Sequence, residues 1–148
     1  MSLRFNYRSA NEPAFQAMIK LETFVSKSGL DKKLYELIKI RASQINGCAY
    51  CLDMHTKDLR AMGETEQRIN LIGVWHEAHD LFTEEEKAVL ELTEAVTQIS
   101  KAGVPKELYE KVRSYFDEKQ YVNIVMAINV INNWNRIAIS TGMYPECF

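Results

Sequence analysis

Two cysteines three residues apart, Cys48 and Cys51 in a Cys-Ala-Tyr-Cys run, are followed four residues later by His55. On a helix, residues at that spacing share a face with Cα atoms roughly 5 Å apart, inside the range a disulfide accepts. Such a pair can close and reopen. A thiol reacts as its thiolate, and an ordinary cysteine, with a pKa of about 8.5, is mostly protonated at neutral pH. Two influences favour the thiolate here. The unpaired N–H groups at the start of a helix face both sulfurs, Cys48 somewhat more. His55 lies one turn beyond Cys51, near enough to exchange a proton with that sulfur directly or through a water, and roughly 10 Å of helical rise from Cys48. The first influence suits a thioredoxin-style attack by Cys48, whereas the second selects Cys51. Cys51 is the expected nucleophile, and Cys48 the resolving thiol that condenses with a sulfenic acid on Cys51 and expels water.

Reducing a hydroperoxide also requires a proton for the departing oxygen, and a histidine backed by a carboxylate can deliver it. Glu36 is the expected carboxylate, because it lies on the preceding helix and faces away from that helix's main apolar stripe. A zinc-binding or scaffold module is the rival reading of the same residues, with Cys48, Cys51 and His55 completed by His76 or His79. Three of those ligands would crowd one side of a tetrahedral ion, and the chain has no second Cys-x-x-Cys. Cys147, one residue from the C-terminus, reads as a bystander thiol.

The elements that must position these groups are helices. Asn11 and Pro13 open a first one carrying Phe15, Met18, Ile19 and Phe24, which Gly29 stops. Asp31 caps a second over about 32–46, with Leu34, Leu37, Ile38 and Ile45 on one stripe, Arg41 within that stripe, and Glu36, Ile40 and Ser43 opposite. Asn46-Gly47 breaks it, and a third helix spans Cys48 to Met62, closed by Gly63. Thr65 begins a short fourth helix reaching Leu71, followed by an irregular Gly73-Val74-Trp75 stretch. Capping boxes at Thr83/Glu86 and Asp117/Gln120 launch helices to about Ile99 and Ser140, and Gly103 and Pro105 introduce one between them that runs through Tyr115. Seven helices without a convincing strand give an all-α fold. No repeat or linker divides residues 1–148, so one domain is expected. Met18, Phe15, Tyr115 and Met126 are assigned to the core. Asn129, Asn132, Asn133 and Arg136 form a polar stripe on the last helix, either solvated or hydrogen-bonded to a neighbouring subunit or to the second helix. Arg41 implies a buried or interfacial ion pair.

Bulk composition excludes several classes. The chain has 148 residues, 47% hydrophobic and 26% charged, with six Gly, three Pro and a formal net charge of −2. At that length folding buries roughly 70% of the surface that the unfolded chain exposes, enough for a core without staples. The scattered Lys and Arg form no basic stripe, which argues against nucleic acid. No apolar run approaches the ~20 residues that cross a bilayer, and the N-terminus lacks a signal-peptide pattern, so a cytoplasmic protein without a membrane partner is expected. Three cysteines, an odd number, suit a reducing compartment.

Glu36, then the run Ser43-Gln44-Ile45-Asn46-Gly47-Cys48-Ala49-Tyr50-Cys51, then His55, resembles the core signature of alkylhydroperoxidase D and its relatives in the carboxymuconolactone decarboxylase-like superfamily. The likeness continues through Trp75, the Phe82–Val96 segment, Val104-Pro105 and Asn132 to Ala138, covering roughly residues 15 to 142. The resemblance implies a compact all-helical subunit assembling into trimers or hexamers. It implies a peroxidase cycle with Cys51 peroxidatic, Cys48 resolving, and Glu36 and His55 relaying protons. A dihydrolipoamide-bearing protein is the implied dithiol reductant, and no metal or organic cofactor is called for. One departure is visible: the best-studied relatives carry a histidine immediately before the second cysteine, where this chain has Tyr50. The superfamily also holds decarboxylases, an alternative lactone-directed activity, but these lack the paired-cysteine motif.

Overall fold

In the computed structural model, which describes residues 2–148, a single helix runs through the middle of the molecule and the others enclose it. That helix, α3 (Lys32–Asn46), follows the one-turn α1 (Tyr7–Ala10) and α2 (Glu12–Ser26). Beyond it come α4 (Ala49–Ala61), α5 (Glu66–Leu71), two 3-10 turns (Ile72–Glu77 and His79–Leu81), α6 (Glu84–Thr97), α7 (Ile99–Ala102), α8 (Lys106–Arg113) and α9 (Glu118–Thr141). No strand occurs among the described residues. The all-α expectation holds, and the seven expected helices correspond to α2–α6, α8 and α9. The two extra helices are single turns, too short to show a helical period.

The centrality of α3 follows from its sequence. Leu34, Leu37 and Ile38 occupy one face, Ile40 and Ser43 the other, and all are buried because α4, α6 and α9 pack around them. A helix enclosed in this way also buries Glu36 and Lys39, and such charges persist in a core only when paired. Arg41 finds its partner in Glu94 on α6, Nε to Oε1 at 2.8 Å, and Glu94 Oε1 also accepts from the Trp75 indole at 2.8 Å.

The turn between α3 and α4 sets the position of the cysteines. Gly47 adopts φ +71°, the left-handed conformation that a side chain resists, and the Cys48 N–H returns to the Ser43 carbonyl at 3.0 Å in a Schellman closure. Asn46 is tied to α9, its amide donating to Asn132 Oδ1 at 2.9 Å and Asn135 Oδ1 at 3.0 Å. Asn135, fully buried, donates in turn to Ser43 Oγ at 3.0 Å. Of the expected polar stripe only Asn132 meets α3, while Asn129, Asn133 and Arg136 are exposed; Asn135, outside that stripe, supplies the second contact. Replacing Asn135 with Ala removes a buried amide from this junction. Urea unfolding should show a loss of about 1–3 kcal/mol.

Three expectations need correction. Helix α6 ends at Thr97, because Gln98 leaves helical geometry at φ −109°, ψ 43°, and Ile99 starts an exposed separate turn. Helix α8 ends at Arg113, and Tyr115 is exposed rather than core. Ile19 and Phe24 on α2 are likewise exposed, because α2 lies on the outside of the bundle and buries only Met18 and Val25 among its residues.

Candidate active site

Helix α4 begins at Ala49, so Cys48 is its N-cap rather than its first residue, with extended backbone at φ −90°, ψ 96°. Its Sγ accepts the Cys51 N–H at 3.3 Å, the role a capping oxygen usually fills. Cys51 occupies the first turn. The two are joined as a disulfide with Cα atoms 5.3 Å apart. They pack with Tyr50 and Met143 against Ala138, near the end of α9.

The two sulfurs are not equivalent. Both cysteines are almost wholly enclosed, but Cys51 lines a cavity of about 390 Å³ and Cys48 does not. His55 lines the same cavity. Its Nδ1 approaches Glu36 Oε2 at 3.1 Å and Asp58 Oδ2 at 3.8 Å. The Glu36 contact is close, but its geometry falls short of a well-aligned hydrogen bond. No hydrogen bond joins the His55 ring to the Cys51 sulfur among the described residues, which leaves the cavity as the route between them.

Glu36 is embedded in a wider charged cluster. Its Oε1 accepts from Lys39 Nζ at 2.9 Å, and Lys39 also approaches Glu22 Oε1 at 3.4 Å. Glu22 accepts from the Tyr35 hydroxyl at 3.0 Å and the Trp134 indole at 3.1 Å. Burial pushes the Glu36 carboxyl up, but His55 and Lys39 together outweigh it and hold the group below the usual carboxylate range. Glu36 is therefore anionic at neutral pH and fixes the orientation of the His55 ring. Burial raises the Tyr50 phenol above its ordinary value, so this side chain, where the best-studied relatives carry histidine, is a neutral donor at the cavity wall.

Of the sequence-predicted residues, Glu36 and His55 are in direct contact, His55 and Cys51 line one cavity, and Glu36 and Cys48 lie behind its wall. His76 and His79 are elsewhere: His76 stacks on Trp75 and places Nε2 3.2 Å from Glu94. The zinc set of Cys48, Cys51 and His55 with His76 or His79 is thus not assembled. One group of three potential ligand atoms occurs among the described residues, on Glu36, His55 and Asp58, and the Lys39 ammonium beside Glu36 opposes a cation there. Cys147 is free and half-buried. Lys39 and Asp58 were legible as i+3 neighbours of Glu36 and His55. Glu22 and Arg8 reach the cavity from α2 and α1 and carry no local signal.

Comparison with known proteins agrees with this architecture. The pattern of the carboxymuconolactone decarboxylase family matches residues 12–95. The uncharacterized protein YdfG of Bacillus subtilis is 49% identical over 142 residues, 96% of either chain. An alkyl hydroperoxide reductase AhpD from Bradyrhizobium diazoefficiens is 33% identical over 63 residues, which span 40% of this chain and 34% of that one. Among solved structures, ATU0492 of Agrobacterium tumefaciens, described as of unknown function and as a candidate AhpD antioxidant defence protein, superposes with a TM-score of 0.93 at 45% identity, covering 97% of this chain and 99% of that one. The debrominase Bmp8 shares the fold at a TM-score of 0.82 and 19% identity, over 94% of this chain and 74% of that one. With more than half of its length under the family pattern and a relative matched almost end to end, the chain belongs to the carboxymuconolactone decarboxylase family.

Proposed function

We propose that the protein is a thiol-dependent peroxidase of the alkyl hydroperoxide reductase type, with Cys51 as nucleophile, Cys48 as resolving thiol, and Glu36 with His55 as proton relay. The observation that carries this reading is the asymmetry of the pair: Cys51 faces a cavity it shares with His55, while Cys48 sits behind it at bonding distance. The Cys51 thiolate attacks the terminal oxygen of R–O–O–H and becomes a sulfenic acid as the O–O bond breaks. His55, held by Glu36 on the cavity wall, supplies the proton that releases ROH. The Cys48 thiol then condenses with the sulfenic acid, forming the disulfide and water. A dithiol attacks the disulfide and leaves as its own disulfide, which restores both thiols, so the net change is ROOH and a dithiol to ROH, water and a disulfide. The balance closes without a metal or organic cofactor.

The family resemblance supports a dihydrolipoamide-bearing protein as the dithiol and assembly of the subunit into trimers or hexamers, and the odd cysteine count suits residence in the reducing cytoplasm. No helix among the described residues is long and apolar enough to cross a membrane.

The test is a thiol count. Fully reduced protein should titrate three thiols, and one equivalent of cumene hydroperoxide should remove two and leave Cys147, with the product carrying a Cys48–Cys51 linkage by peptide mapping. Three thiols remaining after that equivalent would refute the mechanism.

A further inference from the structure

We infer that Arg8 is the anchor for a carboxylate, and that the cavity beside Cys51 takes amphiphilic organic acids, so that the preferred substrates are hydroperoxides of fatty-acid type. The inference rests on the peroxidase reading for its substrate and on the cavity alone for its ligand.

Besides two tyrosines and Cys51, five acidic or basic side chains line the cavity: Arg8, Glu22, Lys39, His55 and Asp58. Four of them answer one another. Lys39 lies 2.9 Å from Glu36 and 3.4 Å from Glu22, and His55 lies 3.1 Å from Glu36 and 3.8 Å from Asp58. Arg8 has no carboxylate within ion-pair distance among the described residues. Its Nε is buried without a hydrogen-bond partner, and Nη2 makes only a long bond, 3.5 Å, to the Tyr50 hydroxyl. The guanidinium is held instead over aromatic faces, 4.8 Å from the Phe148 ring and 5.6 Å from that of Phe15. Those rings fix its position but bring no negative charge and no strong acceptor.

A guanidinium held by stacking, with N–H groups unspent, presents the planar fork that a carboxylate matches with two parallel hydrogen bonds. The remaining wall is largely apolar, from Ile19, Trp134, Ile137, Ala138 and Met143. At about 390 Å³ the cavity is near the lower end of the range for small-molecule sites. An anion at one edge, an apolar body along the wall and a reactive sulfur on the same surface describe an acid with a hydrocarbon chain. Tyr50 links the two ends in sequence: it precedes the nucleophile and touches the anchor.

The test compares wild type, Arg8→Met and Arg8→Lys. Oxidised protein is titrated calorimetrically with decanoate, below its micelle concentration, and with methyl decanoate; this needs no turnover. Wild type should bind the acid about tenfold more tightly than the ester, as one charge-assisted contact allows. Arg8→Met should bring that ratio near one, and Arg8→Lys should restore part of it. The same ratio is then read in kcat/KM for linoleic acid hydroperoxide against its methyl ester. Equal affinity of wild type for acid and ester overturns the inference, as does a Met variant that weakens both ligands by the same factor, since that is a packing role. Acid preference with no hydroperoxide turnover keeps the carboxylate site and removes the peroxidase reading. Turnover of cumene hydroperoxide without acid preference does the reverse.

Discussion

Cys51→Ser protein should lose turnover of organic hydroperoxide by at least about a thousandfold, because it removes the one thiol among the described residues that lines the cavity and with it the covalent step. Cys48→Ser should behave differently. Its Cys51 still faces the peroxide, so one equivalent is consumed rapidly in a single turnover. The sulfenic acid then has no partner at 5.3 Å Cα separation and persists, and dimedone should trap it as an adduct on Cys51 alone. Steady-state rates of both variants are low, and the burst and the adduct separate them. An adduct on Cys48 in Cys51→Ser protein, with a comparable burst, would reverse the assignment of the two roles. Packing supports comparison of the two variants: serine is close in size to cysteine, and both positions sit in a small satellite cluster with Ala138 rather than in the main core.

Glu36→Gln carries the second large effect, on rate and on stability together. The carboxylate holds the His55 ring in place across 3.1 Å, and a neutral amide makes a weaker contact there. General acid catalysis contributes about 10²–10⁴-fold, so a fall of roughly a hundredfold in kcat/KM is expected. The stability effect has a definite sign. Glu36 is held below its ordinary value in the folded protein, so its contribution is fully present above the unfolded carboxylate range, about 4.3, and is lost as pH falls through the folded value. Wild type should therefore lose stability on acidification more steeply than Glu36→Gln. At neutral pH the variant should be weaker by about 2 kcal/mol, less than the 3–5 of a fully broken buried pair, since Lys39 retains Glu22 at 3.4 Å. Urea unfolding at pH 7 and at a series of values from about pH 5 down to about pH 3 reads both effects. Parallel acid dependence of the two proteins would mean that Glu36 is not ionised in the fold.

These expectations draw unequally on chain order and on packing. The Asn46-Gly47 break, the caps at Asp31 and Asp117, the Thr83/Glu86 box and the cysteine turn are interactions among residues within four positions of one another. Their outcome was legible because helical period and capping chemistry are local. The same locality underlies the expectation that His55 serves Cys51 rather than Cys48. Glu36 depended on more. That it faces away from the main apolar stripe of α3 could be read directly, but facing away usually means facing water, and only the enclosure of α3 by α4, α6 and α9 turned that position inward. The resemblance, not the stripe, singled this carboxylate out.

Seven helices, their stop signals and two thiols on one turn beside an imidazole were dictated by order along the chain, because hydrogen bonds four residues apart and side chains three or four apart need no distant partner. Folding alone decided that Arg41 meets Glu94, that Asn135 rather than Asn129 or Asn133 joins the α3 junction, that Tyr115 stays in solvent, and that α1 and α2 carry Arg8 and Glu22 to the wall above Cys51. Those contacts join segments tens of residues apart. Their selection follows from which apolar faces can be buried together, a competition over the whole molecule that no local pattern records.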